Sequence, residues 1–401
     1  MKKVLISAYA CAPSLGSEAA VGWSWLSRIS KMNLQIHCFV EKAEFESKIK
    51  IWLANNPSSE LHKVNWIFVY RQRSRLLEAI NYDLGNYMSL CFWHIKVFFD
   101  AYQRHRNNNY DIIHHLNMIG FREPGFLWLL RGSRYVHGPV GGGGLITRES
   151  RKLLPKKSQV YYKWYNTINR ISKSLGIRFV LAKICAGDRM LYANSENYEF
   201  FNAQKGAIYI PADILQRPKL TRQSKEKSVV WIGNFEDRKL LPLFIDIFRN
   251  WRDAIDFDSI EVYGEYSGKN NYSQLDLDEI ESSFKAYGIN FCFRGKISNE
   301  RLLERLRKVK VHVFTSIREG TPISIAESAS MGVKVVCFGH SGMKDMLDSK
   351  YFVDVEQNYE EIVNDYRRKI LEAISSDENQ NTSFIMEESY RQNTIKSIYG
   401  L

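Results

Sequence analysis

Two glutamates, Glu319 and Glu327, stand eight positions apart and carry the clearest chemical signal in the chain. They follow the apolar run 311–314, which predicts a buried parallel strand, so Glu319 is expected on a strand-to-helix loop and Glu327 on the helix. In open α/β sheets, ligands bind at the carboxyl ends of strands, where a carboxylate can accept hydrogen bonds from sugar or ribose hydroxyls. The alternative is two ordinary solvated residues, but the flanking Gly-x-Pro and Ala-Ser-Met-Gly favour a sugar-nucleotide site.

Two adjacent cations form a second chemical feature. The predicted strand 228–232 runs into Gly233 and Asn234, and Arg238 and Lys239 then stand at the head of a predicted helix. Cations beside a helix N-terminus oppose the helix dipole unless an anion lies between them. Lys239 is therefore predicted to bind phosphate.

Two further strands of this half also end in glycine loops. Gly264 follows the strand 259–263, and Gly295 follows the strand 290–293. The loop 295–298 is expected to offer backbone groups to a flat base.

The first strand, 3–8, runs into a loop that contains Gly16, before a helix that begins at Ala19. Gly16 permits close approach of a ligand, and the loop amides could face an oxyanion. The alternative is a simple strand-to-helix turn. The segment is not Gly-x-Gly-x-x-Gly, which weakens the case for a dinucleotide enzyme of hydride transfer.

Three histidines of the first half end predicted strands. His114 and His115 close the strand 111–115, and only one of them can face a ligand because strand side chains alternate. His137 closes the next strand and precedes four glycines, whose backbone freedom suggests close approach of a ligand or a mobile lid. Packing histidines and an ordinary surface loop remain the alternatives.

Bulk composition indicates a two-domain globular protein. The chain has 401 residues, 45% apolar and 25% charged, and single cores stop growing at roughly 250–300 residues. Its six cysteines are scattered without a Cys-x-x-Cys, which argues against zinc sites and disulfides and favours a reducing cytosol. There is neither an apolar run long enough for a membrane span nor a signal-peptide core, so we expect a cytoplasmic protein.

Charge is distributed unevenly. The net charge is +12, but residues 1–210 carry +15 and residues 211–401 carry −3. The segment Arg148 to Arg178 holds nine basic residues against one acid, with tyrosine and tryptophan interleaved. This mixture suits an anionic membrane surface. Nucleic acid is the competing partner, and a solvated helix with its aromatic residues in the core is the third interpretation.

Short apolar runs alternate with helix-length segments in both halves, which predicts βαβ units and parallel sheets. Further strands are predicted at 35–40, 65–70, 134–137, 190–193 and 334–338. We place a domain boundary near residue 213, giving domains 1–212 and 213–385. Residues 386–401 have helical periodicity and are expected to pack back on the first domain.

Taken together, these residues resemble glycosyltransferase family 4, the retaining nucleotide-sugar enzymes of GT-B fold. The resemblance covers nearly the whole chain and implies two Rossmann-like α/β domains with doubly wound parallel sheets facing a central cleft. Glu319 and Glu327 look like the family's Glu-x7-Glu pair, near the donor sugar and the nucleotide ribose respectively. Gly233 and Lys239 resemble the family's diphosphate-binding segment, and Gly16 resembles its diphosphate-facing glycine.

The resemblance implies further site residues. The expected catalytic set is Glu319, Lys239, His114 and His115. The expected donor-binding set is Gly16, Gly233, Asn234, Arg238, Lys239, Gly264, Gly295, Lys296, Ile297, Glu319, Gly320, Thr321, Pro322, Ile323 and Glu327. The expected acceptor-side set is His137, Gly141, Gly142 and Gly143.

The chain departs from the family pattern at two positions. Asn234 stands where the family usually has arginine, and Leu240 stands where it has the glycine after the lysine. Either Arg238 supplies the missing charge or donor binding is weaker.

The resemblance implies transfer of a hexose-type sugar from a UDP- or GDP-sugar to a lipid-linked, lipopolysaccharide or capsule glycan, without a catalytic metal or a cofactor. The expected location is the inner face of the membrane, as a peripheral protein, and nucleic acid is not among the expected partners. The alternatives are an epimerase or phosphorylase on the same fold, or a catalytically decayed basic protein that binds glycan or nucleic acid.

Overall fold

The structure is a computed structural model of the chain. It describes residues 1–13, 15, 17–72, 82–118, 120–211, 225–266, 277–340, 342–378, 380 and 388–401. The chain divides into two compact units. Unit 1 comprises Met1–Gly143, Arg170–Asp213 and Met386–Leu401, and unit 2 comprises Gly144–Asn169 and Ile214–Ile385. The boundary expected near residue 213 lies outside the described residues.

Unit 1 is built on a seven-stranded parallel sheet of order β3-β2-β1-β4-β5-β6-β7. The strands are β1 Lys2–Ala8, β2 Leu34–Glu41, β3 Val64–Val69, β4 Ile112–Asn117, β5 Arg134–Val140, β6 Met190–Tyr192 and β7 Ala207–Ile208. Val4 pairs with Ile36 on one side and Ile112 on the other, so β1 is an interior strand of the sheet. The central strands are continuous apolar runs because helices cover both faces of a parallel sheet.

The helices of unit 1 complete its βαβ pattern. They are α1 Ser17–Ile29, α2 Lys42–Asn55, α3 Tyr82–Asn108, α6 Ile177–Ala186, α7 Ser195–Phe200 and α14 Glu388–Tyr399, and α5 Lys156–Leu175 ends in this unit. The chain's last helix, α14, packs into the core: the Trp25 indole N–H donates to the Tyr399 hydroxyl at 3.0 Å. Arg391 further up the same helix donates to the Ile210 carbonyl at 3.0 Å.

Unit 2 has a six-stranded parallel sheet of order β10-β9-β8-β11-β12-β13. The strands are β8 Glu226–Ile232, β9 Ser259–Tyr263, β10 Phe291–Gly295, β11 Val309–Phe314, β12 Lys334–Phe338 and β13 Phe352–Val353. This is the strand order of a dinucleotide-binding Rossmann sheet, in which the direction of winding reverses between the first and fourth strands. Here the reversal lies between β8 and β11.

The helices of unit 2 are α4 Arg148–Lys152, the first part of α5, α8 Leu241–Phe248, α9 Leu277–Ala286, α10 Asn299–Leu306, α11 Ile323–Ser330, α12 Met343–Met346 and α13 Tyr359–Ser375. Segment 144–169, which the sequence places in the first domain, is grouped with this unit. Ile146 and Leu154 are buried in its core. Asn166 anchors the segment, since its side chain bonds both the amide and the carbonyl of Ile146.

Two parallel α/β sheets of Rossmann type confirm the predicted fold class. The eleven strands predicted from the sequence are all present, within one to three residues at their ends. The two-residue strands β7 and β13 are the ones that the sequence does not predict.

Candidate active site

The loops after β8 and β11 meet at the point where the winding of the unit 2 sheet reverses. The amide of Ile317 donates to the Arg238 carbonyl at 3.0 Å. The Thr315 hydroxyl donates to the Lys239 carbonyl at 2.6 Å and accepts from the Trp231 indole at 3.0 Å. These hydrogen bonds tie the two loops to each other. The charged side chains on the loops therefore occupy fixed positions at the ligand-binding edge.

Glu319 is the centre of a compact charged cluster at this edge. Its Oε1 atom lies 2.5 Å from the Lys239 ammonium and also pairs with the Arg238 guanidinium. The Ser316 hydroxyl donates to the same oxygen at 2.8 Å. Arg238 is held from its other side by Glu236, with Nε 2.9 Å from that carboxylate. The structure therefore brings together three residues that the sequence selected, together with Ser316, which it did not.

Burial and charge act against each other in this cluster. Burial by itself raises the pKa of Glu319, but Lys239 and Arg238 outweigh it and hold that pKa at about 2. Burial lowers the pKa of Lys239, and the Glu319 carboxylate opposes that shift. The Lys239 ammonium also lies 4.7 Å from the centre of the Phe314 ring. Glu319 is thus an anion with two nearly buried cations beside it, and these cations are suited to bind phosphate oxygens.

The two departures from the family pattern have local structural accounts. Asn234 is exposed, whereas Arg238 places a guanidinium on the same Glu319 oxygen as Lys239 does, so a second cation is present without an arginine at 234. Leu240 has the left-handed conformation that favours glycine, with φ of 50°. Its side chain is buried, and α8 begins directly after it. Packing of the leucine side chain offsets the backbone strain of roughly 1–2 kcal/mol.

Arg318 is fixed next to Glu319 by the segment 144–169. Its guanidinium lies 4.2 Å from the centre of the Tyr165 ring and also donates to the Tyr165 hydroxyl. The Gly144 carbonyl accepts a longer bond, of 3.5 Å, from the same side chain. Arg318 and Tyr165 are not predicted from the sequence, because their contact joins residues far apart in the chain.

Glu327 lies in a second polar group within unit 2. Asn299, the first residue of α10, donates to its carboxylate at 2.7 Å. Burial raises the pKa of Glu327, and the Asn299 hydrogen bond partly opposes the rise. Ile297, two residues before Asn299, packs on a core cluster, while Lys296 extends outward to pair with Glu265 at 2.6 Å. Glu327 and the segment expected to read the base are therefore neighbours.

Glycines shape the floor of this edge. At Gly264 an added Cβ would lie 1.8 Å from the Gly233 carbonyl oxygen, and at Gly342 it would lie 1.9 Å from the Gly320 carbonyl oxygen. Gly264 also donates its amide to Gly295 at 3.0 Å. Gly233 faces the stem of Lys239, whose Cδ would be 3.5 Å from an added Cβ. The loops after β8, β9 and β10 thus stack backbone on backbone.

Thr321, Pro322 and Ile323 connect the charged cluster to α11. Pro322 is the N-cap residue, and Ile323 begins the helix. The positive end of the helix dipole therefore lies directly after the Glu319 loop, an arrangement that favours a bound anion.

His340 also supports this loop and was not selected from the sequence. Its Nε2 atom lies 2.8 Å from the Ser316 carbonyl oxygen, and it follows β12. Burial lowers the pKa of His340. The sequence places this histidine just after a predicted strand, which could have marked it as a site residue. No recognisable motif surrounds it.

The histidines of unit 1 differ sharply from one another. His114 is buried, with Nδ1 2.9 Å from the Tyr399 hydroxyl and Nε2 2.8 Å from the Gly138 carbonyl. Burial lowers its pKa to about 3. With both ring nitrogens engaged by the protein, His114 joins α14 to the sheet. His115 is equally buried, but neither of its ring nitrogens has a partner among the residues described.

His115 lies in a stack of three histidines. Its ring is parallel to that of His137 at 4.9 Å and tilted to that of His94 at 5.2 Å. Burial lowers the pKa of all three rings, to about 4 for His115. The Tyr135 hydroxyl lies 2.7 Å from Nδ1 of His137. The stack is therefore neutral at physiological pH, and its rings can exchange hydrogen bonds but carry no fixed charge.

The glycine run predicted at the acceptor side begins in ordered, packed structure. Gly141 forms an isolated bridge with Gly120, and the Gly143 amide donates to the Asn197 side chain at 2.9 Å. An added Cβ at Gly143 would lie 2.4 Å from the Phe200 ring, and Gly142 has φ of 80°. The glycines are needed for close packing and a left-handed turn. Gly16, the other predicted glycine of this unit, lies outside the described residues.

Two further properties of the described residues concern metal binding and membrane spanning. Within that part of the chain, no group of three or more His, Cys, Asp or Glu is placed to hold a metal ion. Also within it, no helix is both long and apolar enough to cross a membrane.

Comparison with known proteins places this site in a family context. Residues 213–385, which include both glutamates and both cations, match the family model described as glycosyl transferases group 1. No protein of curated function matches the sequence significantly.

Solved structures match the whole chain. The lipopolysaccharide outer core galactosyltransferase WaaB in its apo form is 13% identical, with a TM-score of 0.54 over 100% of this chain and 96% of WaaB. TarM is 11% identical, with a TM-score of 0.58 over 100% of this chain and 99% of TarM. Anabaena Alr3699/HepE, in complex with UDP and glucose, is 11% identical, with a TM-score of 0.55 over 100% of both chains. The fold is that of the GT-B glycosyltransferases, and the family match supports glycosyl transfer as the class of activity.

Proposed function

We propose that this protein is a retaining, metal-independent glycosyltransferase that moves a hexose-type sugar from a UDP- or GDP-sugar to a lipid-linked, lipopolysaccharide or capsule glycan. The observation that carries the proposal is the cluster of Glu319, Lys239 and Arg238 at the switch point of unit 2. It combines two cations for a diphosphate with one carboxylate for sugar hydroxyls. The family match over the same unit supports it.

The first step of the proposed reaction is an exchange of partners. In the structure Glu319 pairs with both cations, and Glu236 also pairs with Arg238. A donor diphosphate brings its own negative charge to Lys239 and Arg238, which releases the Glu319 carboxylate to accept hydrogen bonds from the donor sugar. The nearly buried position of the cluster strengthens each of these contacts relative to water.

The chemical step is departure of the nucleoside diphosphate, with attack by the acceptor hydroxyl from the same face of the sugar. The C1–oxygen bond to the phosphate breaks, the C1–oxygen bond to the acceptor forms, and the departing diphosphate accepts the acceptor proton. Lys239, Arg238 and the α11 N-terminus stabilise the negative charge that grows on the leaving phosphate. This route requires no carboxylate nucleophile.

The nucleoside end of the donor is assigned to the second polar group. Glu327, next to Asn299, is placed to accept hydrogen bonds from the ribose hydroxyls, and the 295–297 backbone is assigned to the base. We assign acceptor recognition to unit 1, and location to the cytoplasmic face of the membrane. WaaB is named for lipopolysaccharide and HepE was solved with UDP, which is consistent with these assignments.

The proposal is tested by thermal shift with UDP, GDP, ADP and their sugars, followed by transfer assays with the donor that binds. We expect one nucleoside diphosphate to raise the melting temperature, and Glu327→Ala to abolish most of that shift. Glu300→Ala, an exposed carboxylate on α10, is the matched control and should bind like the wild type. The anomeric configuration of the product, read by NMR, tests retention.

The outcomes separate the competing functions. Consumption of the donor without an acceptor, with a new sugar isomer as product, would identify an epimerase, and dependence on inorganic phosphate would identify a phosphorylase. Failure of every nucleotide to bind would overturn the transferase proposal and favour the decayed binding protein.

A further inference from the structure

Helix α5 has its polarity inverted relative to an ordinary surface helix. The side chains that it buries are polar: Ser158, Asn166 and Asn169. Six of the side chains that it exposes are apolar or aromatic: Val160, Tyr161, Trp164, Ile168, Ile171 and Leu175. Trp164 is 64% exposed and Leu175 is 72% exposed. A helix in water normally turns its apolar stripe inward, so the outward face of α5 requires another apolar medium.

The exposed apolar residues of α5 form one continuous stripe. Their spacing of one, three or four positions places all six within an arc of about 100°. The following helix, α6, has the same property on its outer face, with Ile177, Val180, Leu181 and Ile184 exposed. Its opposite face packs Phe179, Ala182 and Ala186 into the core of unit 1. We call the six exposed apolar side chains of α5 the apolar stripe.

The apolar stripe lies in a strongly cationic segment. Residues 151–187 contain nine lysines and arginines and no aspartate or glutamate. On α5, Lys163 and Arg170 flank the stripe on one side, roughly a third of a turn from its centre. An apolar face bordered by cations, with tyrosine and tryptophan among its members, has the composition of a helix that lies in a membrane interface.

We propose that the apolar stripe inserts in the plane of an anionic membrane surface, with the flanking cations at the level of the lipid headgroups. Charge selects this occupant over a second copy of the chain, because a copy would bring the same cations and no acids to meet them. It also selects lipid over nucleic acid, since most of the stripe is aliphatic and cannot stack on bases. The inference does not depend on the identity of the donor or acceptor.

The test is co-sedimentation with vesicles of phosphatidylcholine alone and of phosphatidylcholine mixed with phosphatidylglycerol. We expect the wild type to bind the anionic vesicles, less at high salt, and hardly to bind the neutral ones. The variant Trp164→Gln, Ile168→Gln, Leu175→Gln should bind at least about tenfold more weakly, because each buried CH₂ contributes about fourfold to partitioning. Lys163→Glu with Arg170→Glu should weaken binding about fivefold or more for each charge reversed, only on the anionic vesicles.

The control variant is Ile51→Gln, Ile255→Gln, Tyr287→Gln, which removes three exposed apolar residues that lie elsewhere. It should sediment like the wild type. All variants should keep the thermal shift with the nucleoside diphosphate, so that loss of membrane binding is distinguished from failure of the proposed function. Equal vesicle binding by the wild type and the stripe variant would overturn the proposal. Formation of dimers at higher protein concentration would also overturn it, if the stripe variant alone abolished them. Binding of an oligonucleotide that the stripe variant alone abolished would do the same.

Discussion

The two parallel sheets have the same order in their first six strands, but the side chains at their carboxyl ends differ in charge. In unit 2 the edge carries the charged cluster of Glu319, Lys239 and Arg238, in which each charge has an opposite partner. In unit 1 the neighbouring strands carry neutral rings instead: His115 within β4 and His137 within β5 form a buried stack with His94 of α3. The two units have similar sheets, yet one keeps ionised side chains and the other keeps neutral ones. The difference depends on whether an oppositely charged side chain lies beside the buried group.

The physical reason is the free energy of desolvating a charge. A buried ion is tolerated only when it is paired and hydrogen-bonded, and otherwise it gives up its charge. Glu319 keeps its charge because two cations and Ser316 contact one of its oxygens, and its pKa falls to about 2 despite burial. His115 has no such partner among the described residues, and burial lowers its pKa to about 4. The edge of unit 2 therefore keeps its charges, whereas the histidine stack of unit 1 stays neutral.

The largest effect is expected where the counter-charge itself is removed. Glu319→Gln should lower the rate of sugar transfer by about 10²–10³-fold, because the donor sugar loses a charged acceptor that acts at the reacting centre. The same variant should bind the nucleoside diphosphate more tightly than the wild type, because Lys239 and Arg238 no longer have to leave a carboxylate. Transfer kinetics and calorimetric titration measure the two effects. Weaker binding together with slower transfer would contradict the exchange of partners.

The next largest effect tests the stacked loops that hold the charged edge. Gly264→Ala should lower the free energy of unfolding by about 3 kcal/mol, since the new Cβ would overlap the Gly233 carbonyl oxygen and the loop would have to move. Gly320→Ala is the matched control, because an added Cβ there meets no atom within 4 Å. Urea denaturation of both variants measures the difference. Similar losses in the two would show that the loops after β8 and β9 are not closely stacked in solution.

A smaller effect separates the diphosphate from the nucleoside. Lys239→Met should weaken binding of the nucleoside diphosphate about 10–100-fold, the range expected for a charged hydrogen bond of 1.5–3 kcal/mol. Binding of the nucleoside alone should not change, and Glu319 keeps Arg238 and Ser316 as partners. Lys308→Met, an exposed lysine after α10, serves as the control. Equal losses for nucleoside and diphosphate would mean that Lys239 supports the fold of the site rather than the phosphates.

Much of the fold followed from the sequence because parallel strands are buried on both faces. Such strands appear as uninterrupted apolar runs, and those at 228–232 and 311–314 lie within the observed β8 and β11. The short strands β7 and β13 have too few residues to form a recognisable pattern. Segment 144–169 was placed in the first domain because chain order was the available guide. The burial of Ile146 in the core of unit 2 depends on tertiary contacts.

The candidate site was predictable where charge and glycine mark a strand end. Glu319 and Lys239 were selected separately, and the structure brings their charged atoms together at 2.5 Å. The sequence did not indicate Arg318 on Tyr165 or His340 on Ser316, because these contacts join loops of different strands. His114 and His115 could not be told apart from the sequence, because they are adjacent on one strand. In the structure both ring nitrogens of His114 are hydrogen-bonded, whereas neither nitrogen of His115 has a partner among the described residues.

Acid sharpens the comparison between the two edges. The folded-state pKa of His115 is about 4 against an ordinary 6.5, so the unfolded chain binds more protons below 6.5 and stability is lost as the pH falls. Glu319 has a pKa of about 2 against an ordinary 4.5, so its contribution is intact above 4.5 and is lost only as the pH falls toward 2. Unit 1 should therefore weaken more, because it buries His94, His114, His115 and His137, whereas unit 2 buries His312 and His340. The loss is up to about 1.4 kcal/mol per pH unit for each buried histidine.

Hydrogen exchange followed by mass spectrometry can resolve this order, since β4 reports on the histidine stack and β11 on the charged cluster. Between pH 6.5 and 4.5, after correction for intrinsic exchange, protection should fall further in β4 than in β11, because three buried rings stack at β4 whereas β11 carries one, His312. His115→Gln removes one titrating ring and should flatten the slope in β4, whereas His62→Gln, at an exposed position, should leave it unchanged. His94 and His137 lie against the same ring, with Arg178 and Arg71 near His94, so some slope should survive. Equal loss of protection in both strands would mean that the two edges do not differ in how they tolerate charge.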